Sequence, residues 1–92
     1  MSERDDLIDG FLERHGWGGA ARAPLAAAAS FRGYVRLTDG GRHAVLMDAP
    51  PPKEDVRPFV TIARHLAKMG LSVPEVFAED ADAGLLLLED LG

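Results

Sequence analysis

The side chains best suited to chemistry in this chain of 92 residues are three histidines, and their positions do not make a site. His15, His43 and His65 lack the spacing of metal ligands, and the chain contains no cysteine that could support them. The same lack of cysteine excludes a disulfide framework. Neither a serine-centred nucleophile elbow nor a Walker-type Gly-Lys-Ser segment occurs. The sequence therefore predicts no metal site and no complete set of catalytic groups.

Charge and hydropathy restrict the class of protein. The chain has 10 Lys and Arg residues against 15 Asp and Glu residues, and its net charge of −5 argues against a nucleic-acid binder that acts through a basic field. The N-terminal residues are acidic and lack the apolar core of a signal peptide. No apolar run approaches the roughly 20 residues of a membrane span. We therefore expect a soluble cytoplasmic domain without nucleic-acid or membrane partners.

Residues 84–92, GLLLLEDLG, give the strongest structural signal. Four consecutive leucines, bounded by glycine and by acids, are typical of a strand that is buried on both faces. The run leads into a short polar segment, which is a natural crossing point between two structural units. We expect the chain to be the front half of a larger protein, with much of the chemistry in the other half.

A helix and a short strand are predicted before the first long strand. Ser2 can cap the helix, whose first turn is acidic, and Gly16 can take the left-handed position at its end. Apolar residues at helical spacing predict one buried face, made of Leu7, Ile8, Phe11 and Leu12. Trp17 is expected to cover the edge of the core. Residues 22–26 are predicted to form the first strand.

A hairpin follows. Residues 31–37 alternate in hydropathy, Asp39 to Gly41 supply a turn, and residues 43–48 return as a strand. The alternation places Val45 and Met47 on one face of the sheet and Ala44 and Leu46 on the other. The sequence thus predicts that the second and third strands pair directly.

Three prolines at positions 50–52 end the hairpin and form a stiff connector, although they also fit the pattern of a ligand for an aromatic groove. Asp55 can cap a second helix with Pro58 in its first turn. Its predicted inward stripe is Phe59, Ile62, Ala63, Leu66 and Met69. Residues 76–79 form a short strand before the leucines. The predicted class is α+β: a five-stranded antiparallel sheet with one packed helix plus an N-terminal helix.

Four segments resemble the N-terminal part of the aminoglycoside phosphotransferase (choline kinase-like) family: ASFRGYVRL, AVLMDAPPPKEDVRPFVTIARHL, GLSVPEVFAED and GLLLLEDLG. Within that family they are most similar to bacterial sugar kinases that phosphorylate N-acetylmuramate and N-acetylglucosamine at the anomeric hydroxyl. The second segment is the most specific, whereas the leucine-rich end is shared by many kinase-like proteins. The resemblance implies that residues 1–92 are a kinase-like N-terminal lobe, truncated at the hinge to an absent C-terminal catalytic lobe.

The residues that the resemblance implies in ATP binding lie on the hairpin, on the third strand and at the hinge: Ser30, Phe31, Arg32, Tyr34, Val45, Met47, Leu88, Glu89 and Leu91. Val45 matches the residue that stacks over adenine, and Leu88 matches the one at the back of the adenine pocket. The backbone carbonyl of Glu89 and the backbone N–H of Leu91 match the hinge acceptor and donor. These main-chain contacts require a register rather than particular side chains.

The chain departs from the family pattern at three places. Ala27 and Ala28 stand where relatives often have Gly-Asp, which stiffens a loop that must approach phosphates closely. Met47 stands where a kinase normally has its phosphate-binding lysine, and Phe59 or Val60 stands near the usual helix glutamate. If this lobe neutralises phosphate, the cations available are Arg32, Arg36 and Lys53.

Two functions are compatible with these observations. The first is the nucleotide-binding lobe of a small-molecule kinase that transfers the γ-phosphate of ATP to a sugar or amino-sugar hydroxyl. Such a lobe has little or no activity alone, because the base, the Mg²⁺ ligands and the acceptor site belong to the absent lobe. The second is a freestanding α+β interaction module that docks on a partner through an exposed strand edge or through the leucine strand.

Overall fold

The computed structural model describes residues 2–25 and 32–91, and in it a five-stranded antiparallel sheet lies between two helices. Along the chain the elements are α1 (Glu3–Arg14), β1 (Ala21–Pro24), β2 (Gly33–Asp39), β3 (Arg42–Asp48), α2 (Arg57–Lys68), β4 (Val76–Asp80) and β5 (Leu85–Glu89). The strand order across the sheet is β1-β2-β3-β5-β4. The predicted element order and the α+β class are confirmed.

The leucine run forms β5, an interior strand that pairs with β3 on one side and with β4 on the other. All four leucines are buried, as predicted. Because successive side chains of a strand point to opposite faces, Leu85 and Leu87 join one core cluster while Leu86 and Leu88 join a second. One strand therefore contributes to both hydrophobic cores.

The two clusters lie on opposite faces of the sheet, and each face carries a helix. Phe11 and Leu12 of α1 pack with Leu37 and Leu46 in the first cluster. Val60 of α2 packs in the second cluster, which also contains Met47. Alternation along β3 places its residues as predicted, with Ala44 and Leu46 in the first cluster and Val45 and Met47 in the second. The N-terminal helix is thus a full layer of the fold.

Helix α1 begins and ends as the sequence indicates. The Ser2 side chain accepts a hydrogen bond from the Asp5 N–H at 3.1 Å, and Gly16 takes a φ of +84° after the last turn. Arg4 fixes the helix to the sheet, since its Nε donates to Asp48 Oδ1 at 2.9 Å and a guanidinium nitrogen donates to the Ala83 carbonyl. Leu7 was predicted to face inward but is exposed, because the sheet contacts only the Ile8, Phe11 and Leu12 side of the helix.

The predicted inward stripe of α2 is partly wrong. Ile62 and Met69 are 58% and 63% exposed, whereas Val60 and Ala63 are buried. The apolar residues of the helix cover a wide arc on one side of it, so spacing alone does not select the part of that arc that meets the sheet. Packing against the second cluster selects the Val60 side. The prediction that Asp55 caps α2 is wrong, because the cap residue is Val56, which makes no side-chain cap hydrogen bond. Asp55 lies one residue earlier and accepts a hydrogen bond from the Arg57 N–H at 3.0 Å.

The first strand is shorter than predicted, because it spans Ala21–Pro24 rather than residues 22–26. It pairs with β2 in a register that sets Pro24 opposite Val35. The Leu25 N–H then donates to the Tyr34 carbonyl at 2.8 Å. Ala26, Ala27 and Ala28 lie outside the described residues.

We predict that Gly84→Ala is far more damaging than Gly40→Ala. Both glycines have positive φ, but a Cβ on Gly84 would lie 2.0 Å from the Ala49 carbonyl oxygen, and a Cβ on Gly40 would meet nothing within 4 Å. The backbone conformation alone costs about 1 kcal/mol, and the clash raises the cost of Gly84→Ala to about 3 kcal/mol. Urea denaturation of both variants measures the difference. Equal losses of unfolding free energy would contradict the tight turn before β5.

Candidate functional site

A pocket of about 310 Å³ lies at the end of β5, on the face of the sheet that carries α2. We call it the strand-end pocket, and its lining residues are Leu25, Tyr34, Arg36, Val45, Phe59, Pro74, Leu88, Glu89, Asp90 and Leu91. Most of its walls are aromatic or aliphatic, and its charged groups are confined to one edge. The volume is at the lower end of the roughly 300–1,000 Å³ of small-molecule sites, which suits a flat heterocycle.

The register of the sheet builds the floor of this pocket. Arg36 on β2 lies opposite Val45 on β3, Val45 lies opposite Leu88 on β5, and Leu88 lies opposite Val76 on β4. These residues form a row across four strands. A shift of one residue in the pairing of β3 with β5 would turn Val45 or Leu88 to the other face, so this pairing fixes the pocket floor.

The structure brings together five of the nine residues predicted to bind ATP. Tyr34, Val45, Leu88, Glu89 and Leu91 all line the strand-end pocket. They come from β2, β3, β5 and the segment after β5, so only the folded sheet makes them neighbours. Their proximity was expected from the resemblance to the aminoglycoside phosphotransferase family.

Two further predicted residues, Met47 and Arg32, are described by the structure and do not line the strand-end pocket. Met47 is buried below the surface of the sheet with 0% exposure. Arg32 is paired with Glu54 and lies 6.0 Å from the centre of the Phe59 ring. Ser30 and Phe31 fall outside the described residues.

The segment that follows β5, residues 89–91, is held from both sides, and we call it the hinge segment. On the β4 side, the Glu89 N–H donates to the Glu75 carbonyl at 2.8 Å, and the Glu75 N–H donates to Glu89 Oε1 at 3.1 Å. On the β2 side, Arg36 Nε donates to Asp90 Oδ2 at 2.9 Å and Nη2 donates to Oδ1 at 3.4 Å. The hinge segment therefore has a defined position relative to both neighbouring strands.

Sequence reasoning missed Asp90 as a residue of this site. Its side chain is only 10% exposed, which is unusual for an aspartate unless a partner stabilises its charge. The partner, Arg36, is 54 residues earlier in the chain, and no local pattern joins the two. The available signal was the alternation of β2, which places Arg36 on the same face as Tyr34.

Arg32 and Arg36, which were proposed as cations for phosphate, are engaged with carboxylates. Arg32 is bound to Glu54, and this hydrogen bond raises the pKa of Arg32 above its usual value, with a smaller contribution from Tyr34. Arg36 is bound to Asp90. Lys53 is exposed on the proline-rich connector. The guanidinium groups of Arg32 and Arg36 therefore form ion pairs within the lobe.

Apolar packing occupies the place where kinases have a lysine–glutamate pair. Met47 and Val60 are members of one buried cluster together with Leu86 and Leu88. A methionine and a valine can neither form an ion pair with each other nor bind a phosphate oxygen. In this chain, the contact between β3 and α2 is hydrophobic.

Among the described residues, two other cavities are at least as large as the strand-end pocket. One of about 580 Å³, which we call the α2 groove, is lined by Ala63, Arg64, Ala67, Lys68, Val73, Pro74, Glu75, Val76 and Glu89. The other, of about 340 Å³, lies between the end of α1 and residues 79–82. Glu89 is the one predicted site residue on the α2 groove, and none lies on the other cavity. The convergence of predicted residues, and not the volume, selects the strand-end pocket.

Further properties bear on binding partners. Within residues 2–25 and 32–91, no three or more histidine or acidic side chains are grouped as a metal site requires. Across the same residues, neither helix has the length and hydropathy needed to cross a bilayer.

Comparison with known proteins identifies the family. Residues 22–91 match the model of the phosphotransferase enzyme family. The chain belongs to this family. The predicted resemblance is thereby confirmed, and the sheet with its two helices is the N-terminal lobe of a kinase-like phosphotransferase fold.

Three relatives of the chain are named as kinases of N-acetylmuramate and N-acetylglucosamine. The chain is 46% identical over 91 residues to the N-acetylmuramate/N-acetylglucosamine kinase of Pseudomonas aeruginosa, and 43% identical over 91 residues to that of Pseudomonas putida. Each match covers 96% of the chain and 27% of the relative. The kinase of the same name from Caulobacter vibrioides is 36% identical over 99% of the chain and 32% of its own length. The chain thus spans about a third or less of the length of these relatives.

We predict that Met47→Lys destabilises the chain by about 3 kcal/mol, because it leaves an ammonium without a counter-charge in a buried cluster. Met47→Leu, the control of similar volume, should cost less than about 1.5 kcal/mol. Burial lowers the pKa of a lysine in the folded state, so the unfolded state binds more protons and the stability of Met47→Lys should rise as the pH increases toward roughly 10.4. Urea unfolding at about pH 6 and about pH 9 tests this sign. A Met47→Lys variant with the stability and pH response of Met47→Leu would contradict the apolar assignment.

Proposed function

We propose that this chain is the nucleotide-binding lobe of a small-molecule kinase that transfers the γ-phosphate of ATP to a sugar or amino-sugar hydroxyl in the cytoplasm. The observation that carries the proposal is the strand-end pocket, where Tyr34, Val45 and Leu88 meet the hinge segment. The names of the relatives, which are N-acetylmuramate/N-acetylglucosamine kinases, support the class of acceptor.

The strand-end pocket fits the base of the nucleotide. Val45 and Leu88 supply an aliphatic floor, and Tyr34 and Phe59 supply aromatic surface. A planar purine gains from such walls because its faces are apolar, while its edge needs hydrogen-bond partners. We assign those partners to the carbonyl of Glu89 and the N–H of Leu91. The site excludes water from the faces of the base and orients its edge toward the hinge segment.

The phosphates and the chemical step require groups beyond this lobe. Because Arg32 and Arg36 are bound to carboxylates, this lobe contributes little positive charge to neutralise the triphosphate. In-line phosphoryl transfer needs a catalytic base, Mg²⁺ ligands and an acceptor site together. We place these groups in a C-terminal lobe, with residues 1–92 forming the N-terminal lobe alone. Alone, the chain should bind ATP weakly and turn over little or no substrate.

The alternative function, a freestanding interaction module, loses one of its two docking modes. Docking through the leucine strand is wrong, because β5 is an interior strand whose leucines are at most 4% exposed. Docking through a strand edge is still compatible with the structure, because β1 and β4 are the outer strands of the sheet. Family membership favours the kinase lobe.

We predict that ATP perturbs the amide resonances of Tyr34, Val45, Leu88 and the hinge segment in a titration of the chain followed by NMR, because the base enters the strand-end pocket. Inorganic triphosphate, which lacks the base, should perturb these residues much less. Val45→Phe should fill the pocket and abolish the response. The control, His43→Phe, adds the same side chain at an exposed position of β3 that does not line the pocket, and should respond like the wild type.

Two results would overturn the proposal. One is an ATP response of the wild type that is confined to residues outside the strand-end pocket or that inorganic triphosphate reproduces in full. The other is robust ATP-dependent phosphorylation of N-acetylmuramate or N-acetylglucosamine by the chain alone, which would show that the division between two lobes is incorrect.

A further inference from the structure

We infer that Arg36 is a positioning residue that holds the hinge segment in register with the strand-end pocket through its ion pair with Asp90. The inference rests on the proposed function, since it explains how the main-chain groups assigned to the base edge are kept in place. It gives Arg36 a role other than phosphate binding.

The geometry of the pair is that of a clamp. Two guanidinium nitrogens of Arg36 bind the two carboxylate oxygens of Asp90, at 2.9 Å from Nε and 3.4 Å from Nη2. A two-point contact of this kind fixes the orientation of both side chains as well as their distance. Both residues line the strand-end pocket, so the clamp is part of its wall.

The position of Asp90 in the chain makes the clamp relevant to binding. Asp90 lies between Glu89 and Leu91, whose carbonyl and N–H are the proposed acceptor and donor for the base edge. Fixing the Asp90 side chain therefore restricts the main chain on both sides of it. On the β4 side, hydrogen bonds with Glu75 hold Glu89. The Arg36 contact extends the support one residue further along the hinge segment.

Burial makes the clamp dependent on Arg36. The Asp90 side chain is 10% exposed, and at such a position a carboxylate that loses a guanidinium is less stable as an anion. Without the two-point contact, the backbone of the hinge segment is less restricted. Surface ion pairs do not have this consequence, because water replaces the missing partner.

Arg22 provides a matched control. Its side chain is 37% exposed, the same as that of Arg36, and it pairs with an aspartate, Asp9, at 2.8 Å. Asp9 is 48% exposed, however, and neither Arg22 nor Asp9 lines the strand-end pocket. Replacing each arginine by methionine removes one guanidinium from a strand and leaves one aspartate without that partner. The two variants then differ in whether the aspartate is buried beside the hinge segment.

The test compares backbone order and ATP binding in the chain. By ¹⁵N relaxation, the amide order parameters of Glu89 and Asp90 should be near about 0.85 in the wild type and in Arg22→Met, and should fall toward about 0.6 in Arg36→Met. In NMR titrations, ATP should bind Arg36→Met about tenfold or more weakly than it binds the wild type and Arg22→Met, a difference of about 1.4 kcal/mol.

A double variant separates positioning from stability. Arg36→Met with Asp90→Asn removes the buried carboxylate charge together with its guanidinium, so we expect its thermal midpoint to recover toward the wild-type value. Its hinge order and its affinity for ATP should stay low, because the clamp is still missing. Recovery of all three properties would overturn the inference, and so would unchanged order and affinity in Arg36→Met.

The two proposals fail in different ways. If the wild type shows no response to ATP in the strand-end pocket, the proposed function fails, and the order parameters still decide whether Arg36 fixes the hinge segment. If the wild type responds and Arg36→Met responds equally, the proposed function stands and the positioning role is wrong.

Discussion

Burial of β5 on both faces is the constraint on which the rest of this structure depends. Four leucines in five residues can be buried only if neighbouring strands cover both edges and helices cover both faces. The fold meets these requirements with β3 and β4 at the edges and with α1 and α2 on the faces. The polar residues that follow then emerge at one fixed point, beside the start of β3, where Glu89 lies opposite Ala44. The position of the hinge segment is thus a consequence of hydrophobic burial.

The strand-end pocket combines this fixed exit with a row of side chains set by strand register. Val45 and Leu88 are neighbours because β3 and β5 pair, although 43 residues separate them in the sequence. The polar edge of the pocket is fixed by contacts to β2 and β4 through Arg36 and Glu75. Apolar walls and an ordered polar edge are the two properties that recognition of a flat heterocycle requires. The strong cation expected at Met47 is absent, so affinity from this lobe should come mainly from the base.

Most of the fold could be predicted from the sequence because its signals are local. The Ser2 cap, the Gly40 turn and the leucine run each specify an element through a few adjacent residues. The inward side of α2 could not be predicted, since Ile62 and Met69 fit a helical stripe as well as Val60 does. Their exposure reflects how α2 meets the sheet, which is a property of the whole fold.

The candidate site also contains residues that could be predicted from the sequence and residues that could not. Tyr34, Val45 and Leu88 were expected from the resemblance to the family, whereas the pairing of Arg36 with Asp90 depends on contacts across the sheet that no local pattern encodes. The most direct test of the account is an intermolecular nuclear Overhauser measurement between ATP and methyl-labelled chain. We predict contacts from the adenine protons to the methyl groups of Val45 and Leu88. Contacts instead to Val73 in the α2 groove, or no contacts at saturating ATP, would contradict a base pocket at the end of β5.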